Sequence, residues 1–235
     1  MKIGILYICT GRYTIFWNNF YRSMKKYFLP NHSIEYFVFT DGKLDNIDEN
    51  VHIIHQKKLG WPHDTLMRFH MFSSAKNLLC KCDYLFFINA NLIINVPIDE
   101  QILPMEENYM GVLHPGFFNK RRSRFTYETR RQSTAFIPFF KGKHYFMGGF
   151  NGGKAEYFIK MSETLMKNIE QDLKNGIIAI WHDESHLNRY FWEHRKEVKI
   201  LNPEYGYPEG WNLPFEAKIT ILDKSKHGGY DFLRS

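Results

Sequence analysis

Four short apolar runs in residues 2–89 constrain the fold more than any other feature of the chain. They are residues 2–9, IEYFVFT at 34–40, VHIIH at 51–55 and YLFFIN at 84–89. Each has the length of a strand, and turn signals such as Thr10-Gly11 and Asp41-Gly42 close them. Two helical patterns lie between them. Residues 14–28 set Trp17, Phe20, Tyr21, Met24 and Phe28 at helical spacing, with Pro30 beyond the end. Residues 63–80 set Leu66, Phe69, Ser73 and Lys76 on one face. This alternation predicts an α/β fold with an open, largely parallel sheet. Strands buried on both faces read as unbroken apolar runs, as YLFFI does. Ligands on such sheets sit beyond the carboxyl ends of the strands. Cys9-Thr10-Gly11 and Asn89-Ala90-Asn91 occupy two such ends.

The second half reads differently. Pro or Gly stands at 104, 111, 115, 116, 138, 142, 148, 149, 152 and 153, which predicts loops and short strands where binding residues gather. Residues 154–175 predict one long amphipathic helix ended by Gly176. IIAI at 177–180 reads as a short strand. DESHLNRYFWEHR, from 183, reads as a helix whose first acids suit its positive end. Residues 223–235 are basic and glycine-containing, and a mobile tail is expected there. With no repeat or linker, residues 1–235 form a single domain.

Composition narrows the partners. Apolar residues make up 44% and aromatic residues 17%, so the chain is globular. The net charge of +6 suits an anionic ligand such as a nucleotide, and much of it lies in KRRSRFTYETRR at 120–131. No nucleic-acid-binding signature accompanies it, so a nucleic acid is not expected. Cys9, Cys80 and Cys82 form neither a disulfide framework nor a zinc ribbon, which predicts reduced thiols and a cytoplasmic location. No stretch reaches the ~20 apolar residues of a transmembrane segment.

Three constellations carry possible chemistry. A strand end with two aspartates one residue apart holds a divalent cation against a diphosphate. Here both are amides, whose oxygens bring no charge and select a dication weakly. The triplet alone also reads as an Asx turn. His182 and His186 imitate a zinc-protease motif, but with Asp183 at the general-base position, one methylene short. Asp183 also reads as a capping acid, or with Glu184 as a pair facing a ligand. HPGFF at 114–118 and MGGFNGG at 147–153 offer close backbone approach, without the pattern of a dinucleotide or P-loop motif.

YFVFTD, DYLFFINAN, GVLHPGFF, FTYETRRQSTAFIP, YFMGGFNGG and NGIIAIWHDESHLNRYF stand in this order in the chain. Order and spacing resemble the blood-group A and B transferase family, with its α-1,3-galactosyltransferases and Forssman synthases. The resemblance runs from about residue 3 to about residue 224. It implies the nucleotide-sugar-binding GT-A fold, a mixed twisted sheet flanked by helices. It also implies retaining transfer from UDP-GalNAc or UDP-Gal to the 3-hydroxyl of a galactose-terminated glycan, with fucosylated, H-antigen-like acceptors expected. Residues 1–100 are then mainly the UDP-binding half, 101–222 the acceptor and donor-sugar half, and 223–235 the tail. The animal members carry Asp-Val-Asp at the triplet and bind Mn²⁺. Asn89-Ala90-Asn91 departs from that, so no divalent metal cofactor is expected. The resemblance carries no cytoplasmic tail, anchor or stem, which implies a soluble, bacterial-type catalytic domain.

Residue by residue, the resemblance gives the uridine to Ile8, Cys9, Thr10 and Tyr13. Arg68, Asn89, Ala90 and Asn91 lie by the donor sugar and ribose, and Met147, Gly148 and Gly149 shape the donor pocket. His114, Thr126 and Trp181 meet the acceptor. Asp183 bonds the donor sugar. Glu184 stands at the anomeric face, where a carboxylate serves as nucleophile or as a counter-charge to a cationic transition state. Lys224, Lys226 and Arg234 are expected to fold over the diphosphate in place of a metal. The rival expectation is a sugar-binding protein without catalysis, which has no need of Glu184.

Overall fold

The computed structural model describes residues 1–235. Its frame is a seven-stranded mixed sheet in the order β3-β2-β1-β4-β7-β6-β8. These strands are β1 (Lys2–Ile8), β2 (Ser33–Thr40), β3 (Val51–His55), β4 (Tyr84–Ile88), β6 (Tyr109–Leu113), β7 (Phe146–Lys154) and β8 (Val198–Leu201). β1 pairs in parallel with β2 and with β4, and β2 with β3. β7 runs antiparallel to both β4 and β6. A small second sheet joins β5 (Leu92–Ile94), β10 (Ile219–Ile221) and β9 (Tyr207–Pro208).

The apolar runs work as expected. In β4, Tyr84, Phe86 and Ile88 enter one core, and Leu85 and Phe87 enter the other. One face packs on α1 (Trp17–Tyr27), through Trp17, Phe20 and Met24. The other packs on α3 (Arg68–Ser74), α5 (Ala155–Lys174) and α6 (His182–Glu193). α5 buries Phe158, Met161, Leu165 and Ile169, spaced three or four apart. Each fully buried side chain of this size contributes about 1.5–3 kcal/mol.

Several expectations need correction. Residues 63–80 are not one helix but α2 (His63–Leu66), α3 and α4 (Lys76–Leu79), with breaks at Met67 and Ala75. MGGFNGG, in a region read as loops and short strands, makes up most of the nine-residue β7 in the interior of the sheet. Its glycines answer bulky neighbours: a β-carbon on Gly152 would collide with the Phe86 ring and lie 2.6 Å from the Leu85 carbonyl oxygen. IIAI forms no strand, and Ile178 and Ile180 are exposed. The tail is folded: a 3-10 turn at Lys224–His227 leads into α7 (Gly229–Arg234), which buries Leu233 against the core.

The two topological outcomes that matter lie at the carboxyl ends of β1 and β4. Both strands end on the same edge of the sheet, because they pair in parallel. β7 brings Gly148 and Gly149 to that edge, and α6 begins above it.

Candidate active site

The start of α6 carries the site's acids. Its helix cap has no side-chain bond, so Asp183 does not cap it. Asp183 Oδ2 lies 2.7 Å from Arg68 Nη1, with both side chains buried. Burial pushes the Asp183 carboxyl up to about 6, although the Arg68 charge opposes this. Arg68 also donates to the Gly148 carbonyl at 2.7 Å and lies 4.0 Å from the Phe87 ring centroid. A buried pair of this kind is costly to break, since either partner alone is an uncompensated charge.

Glu184 has both oxygens engaged. Tyr145 Oη donates to Oε1 at 3.0 Å, and the Gly148 N–H donates to Oε2 at 2.8 Å. Burial raises its pKa, while these two donors and Arg68 pull it back. Asn188 locks the turn beneath: it donates to the Phe146 and Glu184 carbonyls and accepts the Phe146 N–H. The carboxylate is therefore held between α6 and β7 in a fixed orientation.

The residues expected to meet an acceptor join the same network. Trp181 Nε1 donates to Thr126 Oγ1 at 2.7 Å, and Thr126 Oγ1 lies 3.4 Å from Tyr145 Oη. His114 accepts the Gly116 N–H and sits 5.8 Å from the Tyr145 ring. Burial lowers its pKa to about 4, so the imidazole is neutral at pH 7. Tyr145 thus joins His114 and Thr126 to Glu184. The sequence reading missed it, though it is the first residue of the YFMGGFNGG stretch quoted above.

Glu128 was also missed. It is buried and accepts the Ile180 N–H at 3.0 Å and two bonds from the Arg130 guanidinium. Arg130 in turn donates to the Ile178 carbonyl at 2.6 Å. This clamp holds the segment that delivers Trp181, Asp183 and Glu184. Burial alone would raise the Glu128 pKa, but Arg130 and the backbone donors bring it down to about 2. Its signal was present in the sequence as the only acid in a basic stretch.

The two histidines do not share a metal. His182 packs edge-on to Trp61 at 4.7 Å, whereas His186 is buried beside Asp172, 3.7 Å away.

At the strand ends, Cys9 is buried and its carbonyl accepts Thr40 Oγ1 at 2.7 Å. Ile8 is partly buried and Thr10 buried beside it. Tyr13 lies under Lys224, with Nζ 5.1 Å from its ring centroid. Asn89 Nδ2 donates to Asn91 Oδ1 at 3.0 Å, and Asn91 Nδ2 donates to the Leu222 carbonyl at 2.8 Å. The Leu222 N–H returns to the Asn91 carbonyl at 2.8 Å, and Tyr7 Oη bonds the Ala90 carbonyl. The amides therefore bind each other and the base of the tail. This donor set brings no carboxylate to the strand end, and amide oxygens alone select a divalent cation weakly.

The tail closes over this edge. Arg234 lies 3.9 Å from the Trp61 ring centroid and 4.8 Å from that of Tyr230. Burial lowers the Lys224 pKa to about 8, helped by the charges of Arg234 and Arg68. Lys226 is different: it pairs with Glu209 at 2.6 Å on the exposed side. Met147 is buried, and its Cε lies 2.9 Å from where a β-carbon on Gly149 would stand.

A buried acid pair, an arginine, paired glycines and basic groups thus converge where the sheet would take a nucleotide sugar. The sequence profile of glycosyltransferase family 6 matches residues 1–234. The chain belongs to glycosyltransferase family 6. Its mixed sheet with flanking helices is consistent with the GT-A fold. The transferase is 35% identical over 232 residues to the O-antigen biosynthesis glycosyltransferase WbnI of Escherichia coli, covering 98% of both chains. It is 32% identical to histo-blood group ABO system transferase 2 of Rattus norvegicus, over 89% of this chain and 65% of that one. It is 31% identical to globoside alpha-1,3-N-acetylgalactosaminyltransferase 1 of Gallus gallus, over 96% of this chain and 68% of that one. The transferase thus spans about two thirds of the length of these animal relatives. No helix is long and apolar enough to cross a membrane.

Proposed function

We propose that this transferase moves N-acetylgalactosamine from UDP-GalNAc to the 3-hydroxyl of a galactoside, with retention and without a divalent metal. A fucosylated galactoside is the expected acceptor, and UDP-Gal the lesser donor. The observation that carries the reading is Glu184, fixed by Tyr145 and Gly148 beside the Arg68–Asp183 pair. The bond from the anomeric carbon to the diphosphate breaks, the bond to the acceptor oxygen forms, and the acceptor proton leaves with the diphosphate. The anomeric carbon becomes cationic on the way, and a preoriented carboxylate stabilises it. Each Glu184 oxygen accepts one hydrogen bond and keeps a further lone pair, so the same orientation serves a counter-charge or a nucleophile. The three unpaired thiols accord with a reducing, cytoplasmic setting.

The diphosphate gains negative charge as it leaves. Lys224 and Arg234 lie at the strand ends where they can meet it, and the amide pair brings no charge to hold a cation. The test is turnover of UDP-GalNAc and UDP-Gal on a panel of galactosides, in excess EDTA and with added Mn²⁺. Equal rates under both conditions support the proposal. Loss of turnover in EDTA with recovery in Mn²⁺ overturns its metal-free part, and no transfer to any galactoside overturns the acceptor class.

A further inference from the structure

Residues 114–146 carry eight Lys and Arg and a single acid, Glu128. That acid is buried and pairs with Arg130. Arg130 is the only cation of the eight that forms an ion pair. Lys120, Arg121, Arg124, Arg131, Lys141 and Lys143 are exposed.

Within this charge lies an apolar projection. The Lys141 N–H returns to the Pro138 carbonyl at 2.9 Å, which places Phe139 and Phe140 at a turn tip. Phe139 is 60% exposed and Phe140 91%, the highest exposure among the large apolar side chains. Their rings meet edge to face at 5.2 Å. The turn is braced from below. Arg122 donates to the Pro138 and Lys141 carbonyls and lies 4.4 Å from the Tyr127 ring centroid. Gly142 takes a φ of +83° as the chain passes over Tyr127. The aromatic pair is therefore held outward by a built support. Beside it is a hollow of about 460 Å³, with Phe146, Phe191 and Val198 in its lining and Lys141, Lys143 and Arg195 alongside.

We propose that the 138–143 turn docks the transferase on an anionic lipid bilayer. Phe139 and Phe140 enter the boundary between headgroups and acyl chains, and the surrounding cations meet headgroup phosphates. A nucleic-acid duplex would engage the charges but leave a convex apolar tip in water. An apolar protein groove would take the tip but leave the cations unanswered. An anionic bilayer supplies both chemistries over a broad surface, and a single-stranded nucleic acid, whose bases stack on aromatic rings, is the competitor that the test separates from it. The docked face is also tied to the site: Tyr127 stacks on Tyr145 at 5.1 Å, and Tyr145 holds Glu184.

The test is co-sedimentation of the full chain with phosphatidylcholine vesicles, with and without phosphatidylglycerol. Binding is expected only with the anionic lipid, and it should weaken as salt screens the charges. F139S/F140S and K141E/K143E should each lower the partition coefficient by ~10-fold or more. Turnover of a soluble galactoside by both variants should stay within about two-fold of wild type, which shows that they fold. Absence of binding to anionic vesicles overturns the proposal. So does binding that persists after both phenylalanines are removed, or equal competition by single-stranded RNA.

Discussion

The end of β4 and the first turn of α6 face the same space, and the sequence treats them in opposite ways. At the end of β4, charge is absent: Asn89 and Asn91 are bound to each other and to the backbone at Leu222. At α6, charge is kept and held: Asp183 by Arg68, Glu184 by Tyr145 and Gly148. An acid that counters a positive centre has no substitute, whereas a cation can be supplied by a metal or by a side chain. The first site can therefore change its chemistry while the second cannot. Glu184→Gln tests the second half of that statement and carries the largest expected effect. It should lower kcat by ~10²-fold or more and leave UDP-sugar binding within a few-fold. Near-normal turnover by the Gln variant would take Glu184 out of the mechanism.

The first half predicts that Lys224 has taken over from a metal. Lys224→Ala should weaken UDP by ~10- to 100-fold, since a charged hydrogen bond contributes about 1.5–3 kcal/mol. Lys226→Ala should change little, because its amine is paired with Glu209. The pKa of Lys224 is lowered to about 8, so the amine is charged below that pH and loses its proton above it. UDP affinity should then fall as pH rises through about 8, and this step should vanish in Lys224→Ala. Calorimetric titration of UDP across pH 6–10 measures both. An affinity that ignores pH and the substitution alike would remove Lys224 from the diphosphate.

Asn91→Asp sharpens the contrast from the other side. It restores one charge of the missing pair but sets a carboxylate against the Leu222 carbonyl, where an N–H now donates. Leaving that acceptor unmet costs about 1–3 kcal/mol, which should appear as looser tail docking and weaker UDP binding. Proteolysis of the tail and UDP titration would show it. An Asp variant with unchanged UDP affinity and tail protection would mean that the amide tether does no holding.

The contrast also explains what the sequence made legible. β1, β2 and β4 were readable because strands buried on both faces leave unbroken apolar runs, and the edge strand β3, with Ile53 exposed, was readable from its short β-branched run. β7 was not, because its glycines answer the Phe86 ring and the Leu85 carbonyl, long-range neighbours that no local pattern records. Asp183, Glu184 and the departure at Asn89-Ala90-Asn91 were visible as residue types at a strand end and a helix start. Their supports were not. Glu128 acts on Ile180 across 52 positions, and Tyr145 on Glu184 across 39. Asn91 reaches Leu222 across 131 positions, so the tail that looked mobile is anchored by a contact invisible to periodicity.

The smallest expected effect concerns the donor. The resemblance places Leu and Gly in A-type enzymes, and Met and Ala in B-type enzymes, at the positions of Met147 and Gly149. This chain mixes the two. A β-carbon at 149 would lie 2.9 Å from Met147 Cε and 3.6 Å from Asn89 Cβ, so the two positions compete for one volume. Met147 is unbranched and can swing aside, while a β-carbon cannot. UDP-GalNAc should therefore be preferred over UDP-Gal by ~10-fold, the scale of one poorly fitting small group. Gly149→Ala should shift the kcat/KM ratio toward UDP-Gal by up to ~10-fold, less in Met147→Leu/Gly149→Ala if the branched side chain leaves the new methyl free of contact. The two substitutions should thus be non-additive. An unchanged ratio in Gly149→Ala, or strict additivity in the double variant, would show that the acetamido group is read elsewhere than at this shared volume.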